Sequence, residues 1–117
     1  MTYNEFMTLT DSATPTFVYF YATWSFPCRG MRVEVDKLKV QLDSHIQLLH
    51  IDIDKPENYR ITQAYNIYSV PTVVIFRSGV PVWRISGEAS ADHMRRIVDK
   101  LLAMPLESTA TSRNRRR

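Results

Sequence analysis

Residues 16–28, TFVYFYATWSFPC, decide the reading of this chain. The first part, Thr16 to Ala22, is a short, aromatic, nearly unbroken apolar run, the pattern of a strand buried on both faces. From Ser25 onward the period changes. Met31, Val35, Leu38 and Leu42 recur at helical spacing, with Arg32, Glu34, Asp36, Lys37 and Lys39 on the other sides. A buried strand that feeds an amphipathic helix, with a serine at the junction to cap it, predicts a β-α unit.

Working outward, Thr2 and Glu5 have capping-box spacing, which predicts a short opening helix over Thr2 to Leu9, and Thr14-Pro15 breaks the chain after it. Ile46 to Ile53 (IQLLHIDI) reads as a second strand. Asp54, Pro56 and Glu57 predict a helix through about Tyr65, with Asp54 as its cap and Glu57 reaching back. Thr72 to Phe76 is a third strand, and Ser78-Gly79 a turn that hairpins it to a fourth, Pro81 to Ser86. Ser90 caps a last helix that buries Met94, Ile97, Val98, Leu101 and Leu102, and Pro105 ends it. The order is a helix followed by β-α-β-α-β-β-α, an α/β pattern. Alternating strands and helices imply parallel pairing through right-handed crossovers, with an antiparallel strand added by the final hairpin.

At 117 residues, 44% of them hydrophobic and 23% charged, the chain has material for one core. We expect one domain over 1–104 and a disordered basic tail over 105–117 (PLESTATSRNRRR). Positive and negative residues cancel over 1–104. The net charge of +3 therefore comes from the tail, where Arg113, Arg115, Arg116 and Arg117 outweigh Glu107. That argues against a nucleic-acid-binding body and leaves weak, salt-sensitive nucleic-acid contact through the tail. No run approaches the eighteen apolar residues of a membrane span, and MTYNEFMTLTD lacks a basic start and apolar stretch, so a cytoplasmic location is expected. The single cysteine, Cys28, fits a reducing compartment and excludes an internal disulfide. Cys28, His45, His50 and His93 have no metal-ligand spacing, and three glycines make no phosphate loop; neither metal nor cofactor is expected.

The element order, Trp24-Ser25-Phe26-Pro27-Cys28 at a strand-to-helix junction, and Val70-Pro71-Thr72 before the third strand together resemble the thioredoxin family. Phe20, Ala22, Asp52, Phe76, Gly79 and Gly87 support the match, which runs from about Thr16 to Leu102. The resemblance implies a three-layer sandwich: a central mixed sheet of about four strands flanked by helices. The family's usual N-terminal edge strand is missing, so Ile46 to Ile53 becomes the sheet edge, a place for a homodimer or a partner strand. It also implies protein or peptide clients held in a groove of Trp24, Phe26, Pro27, Tyr68, Val70, Pro71 and Gly87, with Pro71 cis and the backbone of Val70 pairing with extended substrate.

The departures bear most on function. Thioredoxins carry W-C-G-P-C; here Ser25 stands at the nucleophilic cysteine and Phe26 at the glycine. The family's buried aspartate aligns with Tyr19, and its lysine partner with Leu48. These losses together point to a lineage that gave up dithiol chemistry, and a dithiol reductase is not expected. Ser25 reads as an N-cap, or else as a hydroxyl that contacts a ligand. Cys28 reads either as an inert small hydrophobe or as a thiol capable of slow monothiol exchange released by an outside thiol such as glutathione. Two functions follow: a single-cysteine protein of redox homeostasis, and a non-catalytic peptide- or protein-binding module.

Overall fold

A computed structural model describes residues 1–42 and 44–104. Along the chain run α1 (Tyr3–Thr10), β1 (Thr16–Tyr21), α2 (Phe26–Gln41), β2 (Gln47–Asp52), a 3₁₀ turn (Pro56–Asn58), α3 (Tyr59–Ala64), β3 (Thr72–Arg77), β4 (Val80–Ser86) and α4 (Ala91–Ala103). The expected tail, 105–117, lies outside the described residues.

Local chemistry accounts for most boundaries. Thr2 and Glu5 form both halves of a capping box at α1. Ser90 caps α4 through His93 N–H at 3.1 Å. Ser78 and Gly79 both take positive φ, 53° and 78°, the two-residue turn whose twist suits a hairpin. Their N–H groups donate to the carbonyls of Ser12 and Thr10, pinning the hairpin to the loop after α1.

The four strands form one sheet in the order β2-β1-β3-β4, with helices on both faces. On one face, Met31, Val35 and Leu38 of α2 and Met94, Val98 and Leu101 of α4 pack over Phe17, Tyr19, Val73 and Ile75. On the other, Phe6 of α1 and Ile61 of α3 pack over Val18, Phe20, Val74 and Phe76. β1 therefore sends alternate side chains into two cores, which is why its sequence is apolar without interruption. This is the α/β three-layer sandwich with a mixed sheet.

Three expectations are corrected. The strand-helix alternation predicts β3 parallel to β1, but β3 is antiparallel to it. α3 has six residues, a rise of about 9 Å, whereas a six-residue strand spans about 20 Å. Such a helix cannot carry the chain back along the sheet, so β3 starts at the end where β2 finished: Asp52 lies opposite Tyr21, and Thr72 opposite Phe20. Second, Asp54 does not cap a helix. Pro56 opens a 3₁₀ turn preceded by Lys55, and Glu57 pairs with the N-terminal amine at 3.0 Å. Third, Leu102 is exposed, because Ala91, Met94, Val98 and Leu101 already complete the buried stripe of α4.

Candidate functional site

The direction of β3 gathers the predicted site at one end of the sheet. The N-terminus of α2 follows the end of β1, the Asp54 loop follows β2, Pro71 precedes β3, and Gly87 follows β4. Residues distant in sequence thus surround the start of α2.

Ser25 sits at the cap of α2 with extended backbone, and its Oγ accepts from Cys28 N–H at 3.3 Å. The side chain is 3% exposed, so this hydroxyl is turned inward to a helix donor. Cys28, one turn into the helix, is 4% exposed and free of any disulfide. Behind it, Tyr19 is buried, and its hydroxyl donates to the Cys28 carbonyl at 3.0 Å. Burial, reinforced by the neighbouring Cys28 thiol, pushes the Tyr19 hydroxyl far above the ordinary phenol range. The place that the resemblance gives to an acid therefore holds a neutral phenol, which donates a hydrogen bond and takes up no proton at physiological pH. Leu48, at the position of the lysine, is half-buried against the same core. His50 lies edge-on to Tyr19 and Tyr21; desolvation, then the charge of Arg32, lowers its pKa.

The aromatic side chains point the other way. Trp24 is 68% exposed, Phe26 77% and Tyr68 84%. Trp24 is held in place: its indole N–H donates to Asp54 Oδ2 at 2.7 Å. Asp54 is fixed in turn, its N–H donating to Asp52 Oδ1 and its carbonyl accepting from the Tyr59 hydroxyl. The Arg29 guanidinium lies 5.8 Å from the Phe26 ring centroid. The Tyr68 hydroxyl donates to Asn66 Oδ1 at 3.0 Å. Pro27 is exposed at the second position of α2, Val70 is half-buried, and Pro71 is buried after a cis peptide bond. Gly87 N–H donates to the Pro71 carbonyl at 2.8 Å, and its φ of +101° suits glycine.

The structure thus separates two groups within the predicted set. Ser25 and Cys28 are inside; Trp24, Phe26, Pro27 and Tyr68 are outside. Sequence reading missed the anchoring role of Asp54, the hydroxyl contact of Tyr19, and Tyr59 and Arg29 beside the aromatic surface. Nothing local in the sequence identifies the partner of the Trp24 indole, a carboxylate 30 positions away. Among the described residues no group of histidine, cysteine and carboxylate side chains is placed to hold a metal, and no helix is long and apolar enough to cross a membrane.

Comparison with known proteins bears on this arrangement. The thioredoxin family model matches residues 1–100. A thioredoxin-like protein of Synechocystis is 40% identical over 83 residues, covering 71% of this chain and 77% of the relative. The thioredoxin of Mycolicibacterium smegmatis is 30% identical over 91 residues, covering 77% and 81%. In fold, the crystal structure of thioredoxin from Trypanosoma brucei brucei superposes with a TM-score of 0.77 at 20% identity, covering 88% of each chain. With the sandwich, the strand-to-helix junction and the proline loop all in place, the chain belongs to the thioredoxin family, whose members are redox proteins acting on protein clients.

Proposed function

We propose that this protein serves redox homeostasis as a single-cysteine family member that docks protein or peptide clients on its aromatic surface and exchanges disulfides at most slowly through Cys28. One contrast carries the reading: Trp24, Phe26 and Tyr68 are more than two-thirds exposed, whereas Cys28 is 4% exposed. An extended client pairs with the backbone of Val70 and lies across the three aromatic rings. When Cys28 reacts, its thiolate attacks one sulfur of the client disulfide, a mixed disulfide forms, and the other client sulfur leaves as thiolate. Ser25 supplies no second thiol to resolve that bond. A thiol from outside, such as glutathione, must attack the client sulfur and release Cys28. The missing carboxylate at Tyr19 and the missing lysine at Leu48 remove proton-transfer assistance and slow the step further.

The burial of Cys28 favours a second reading, a purely non-catalytic peptide-binding module. Trapping separates the two. The protein is incubated with a disulfide-containing peptide in oxidised and reduced forms, and both binding and mixed disulfide are measured. Binding of both forms, weakened at least tenfold by Trp24→Ala, with slow accumulation of a Cys28 adduct, supports the redox reading; binding without adduct supports the module. Absence of binding contradicts both. Self-association through the 46–53 edge, a domain over 1–104 and a cytoplasmic site of action belong to the same proposal. So does weak nucleic-acid contact by the Arg113–Arg117 segment, which must fall steeply between low and physiological salt.

A further inference from the structure

β2 lies at one edge of the sheet, and its outward backbone groups can be identified. Ile53 N–H donates to the Tyr21 carbonyl at 3.0 Å, so Ile53 turns its backbone toward β1. Alternation along an extended chain then turns Leu49 and Ile51 the same way and points the N–H and C=O of Leu48, His50 and Asp52 away from the sheet. The Asp52 carbonyl is occupied by Asn58 Nδ2 at 2.9 Å. Among the described residues nothing bonds to the outward groups of Leu48 and His50. The stretch Gln47 to Ile51 contains no proline and no Lys, Arg, Asp or Glu.

The opposite edge is different. On β4, Pro81 offers no N–H, the ladder shifts register between Ile75 and Phe76, and Arg84 reaches over to the carbonyls of Tyr65 and Asn66 at 2.6 and 2.7 Å. Proline, irregularity and charge are the devices that keep a strand edge from pairing. β4 has all three, whereas β2 has no proline and its one charge, Asp52, stands at the end of the strand.

We infer that the outer edge of β2 is the two-fold interface of a homodimer, in which two copies pair antiparallel about Leu49. The register follows from self-complementarity. Leu48 of one copy stands opposite His50 of the other, and His50 opposite Leu48, so both outward pairs exchange N–H and C=O reciprocally. Leu49 falls on the axis and meets its own counterpart. The two leucines lie on opposite faces of the sheet, Leu48 at the margin of the α2/α4 core and Leu49 at the margin of the α1/α3 core, each half-buried. A second copy extends both cores across the axis, and the same patch serves both partners, as a two-fold interface requires. The inference gives the register of the self-association through the 46–53 edge proposed above and rests on that reading alone; it does not depend on how Cys28 or the aromatic surface behaves. An edge this short buries less than the ~1,200 Å² of a standard interface, so the dimer is weak.

Sedimentation equilibrium of the full chain from about 10 µM to about 1 mM tests it, a range that brackets a weak association. The expected result is a mass that rises with concentration from 13.6 kDa toward twice that value and stops there. Leu49→Lys places two ammonium groups on the axis and raises the dissociation constant at least tenfold, with circular dichroism verifying the fold. Leu49→Cys gives an independent arm. Residues facing across a non-hydrogen-bonded antiparallel pair have Cα atoms about 4.5 Å apart, within disulfide reach. This variant therefore forms a covalent dimer under oxidised glutathione faster than Val40→Cys, whose site is 87% exposed on α2. A mass fixed at 13.6 kDa throughout, growth beyond twice that mass, or cross-linking no faster than at Val40 would overturn the inference.

Discussion

Replacing Ser25 by alanine tests what the hydroxyl at the family's nucleophile position does. Its Oγ accepts from Cys28 N–H, and both residues are nearly fully buried, so the substitution strands a helix-terminal donor away from water. Loss of an N-cap costs about 0.5–2 kcal/mol, and burial places this one toward the upper part of that range. The 3.3 Å separation is long for a hydrogen bond and pulls the value back, leaving about 1 kcal/mol. For a domain of about 100 residues that lowers Tm by about 4–5 °C. Thermal and urea unfolding followed at 222 nm provide the assay, with the urea m-value unchanged because the folded surface is the same. Ser25→Gly costs less, since glycine is itself accepted at an N-cap. If Ser25→Ala unfolds at the same temperature as the original protein but loses client binding, the hydroxyl contacts ligand and the capping account is wrong.

Ser25→Cys restores a dithiol and confers measurable reduction of a protein disulfide such as that of insulin. The rate stays well below that of a thioredoxin because Tyr19 and Leu48 still replace the acid and the lysine; thioredoxin-like speed would show that neither matters. Arg77, 8% exposed, donates to the carbonyls of Ala13, Leu101 and Met104 and fastens the end of α4 to the β1 approach. Arg77→Met costs about 1.5–3 kcal/mol in urea unfolding, the range for hydrogen bonds to a charged group, and a change below about 0.5 kcal/mol would contradict that role. The Ala91 N–H, then Lys37, hold the Glu34 carboxyl below its ordinary value of 4.5. A depressed folded pKa gives stability that is present above about pH 4.5 and lost as pH falls through the folded value. Glu34→Gln is therefore less stable than the parent at pH 7, and the gap closes in acid; a gap that widens on acidification would reverse the assignment.

The parts legible in the sequence are those set by neighbours along the chain. The Thr2–Glu5 box, the Ser25 and Ser90 caps, the Ser78-Gly79 turn and the stripe of α2 each depend on spacings of four residues or fewer, and the structure has them where the pattern placed them. Trp24 and Phe26, which the resemblance puts in a client groove, are exposed. What was not legible depends on contacts across the fold. Asp54 has the composition of a helix cap, but the Trp24 indole takes it instead. Tyr19 reads as one more core aromatic until its hydroxyl is seen against the Cys28 carbonyl. The direction of β3 turned on the length of α3, and Pro56 and Glu57 suggested a longer helix than the six residues that form.

The alkylation rate of Cys28 tests the account most directly. Iodoacetamide labelling of the full chain, native and in denaturant, compares the thiol in its buried place with the same thiol in open chain. The account predicts native labelling at least a hundredfold slower, recovering with unfolding, since a side chain 4% exposed behind the Ser25 cap reacts mainly when the N-terminus of α2 opens. Labelling of the folded protein as fast as the unfolded chain at neutral pH would contradict it and make Cys28 a ready nucleophile.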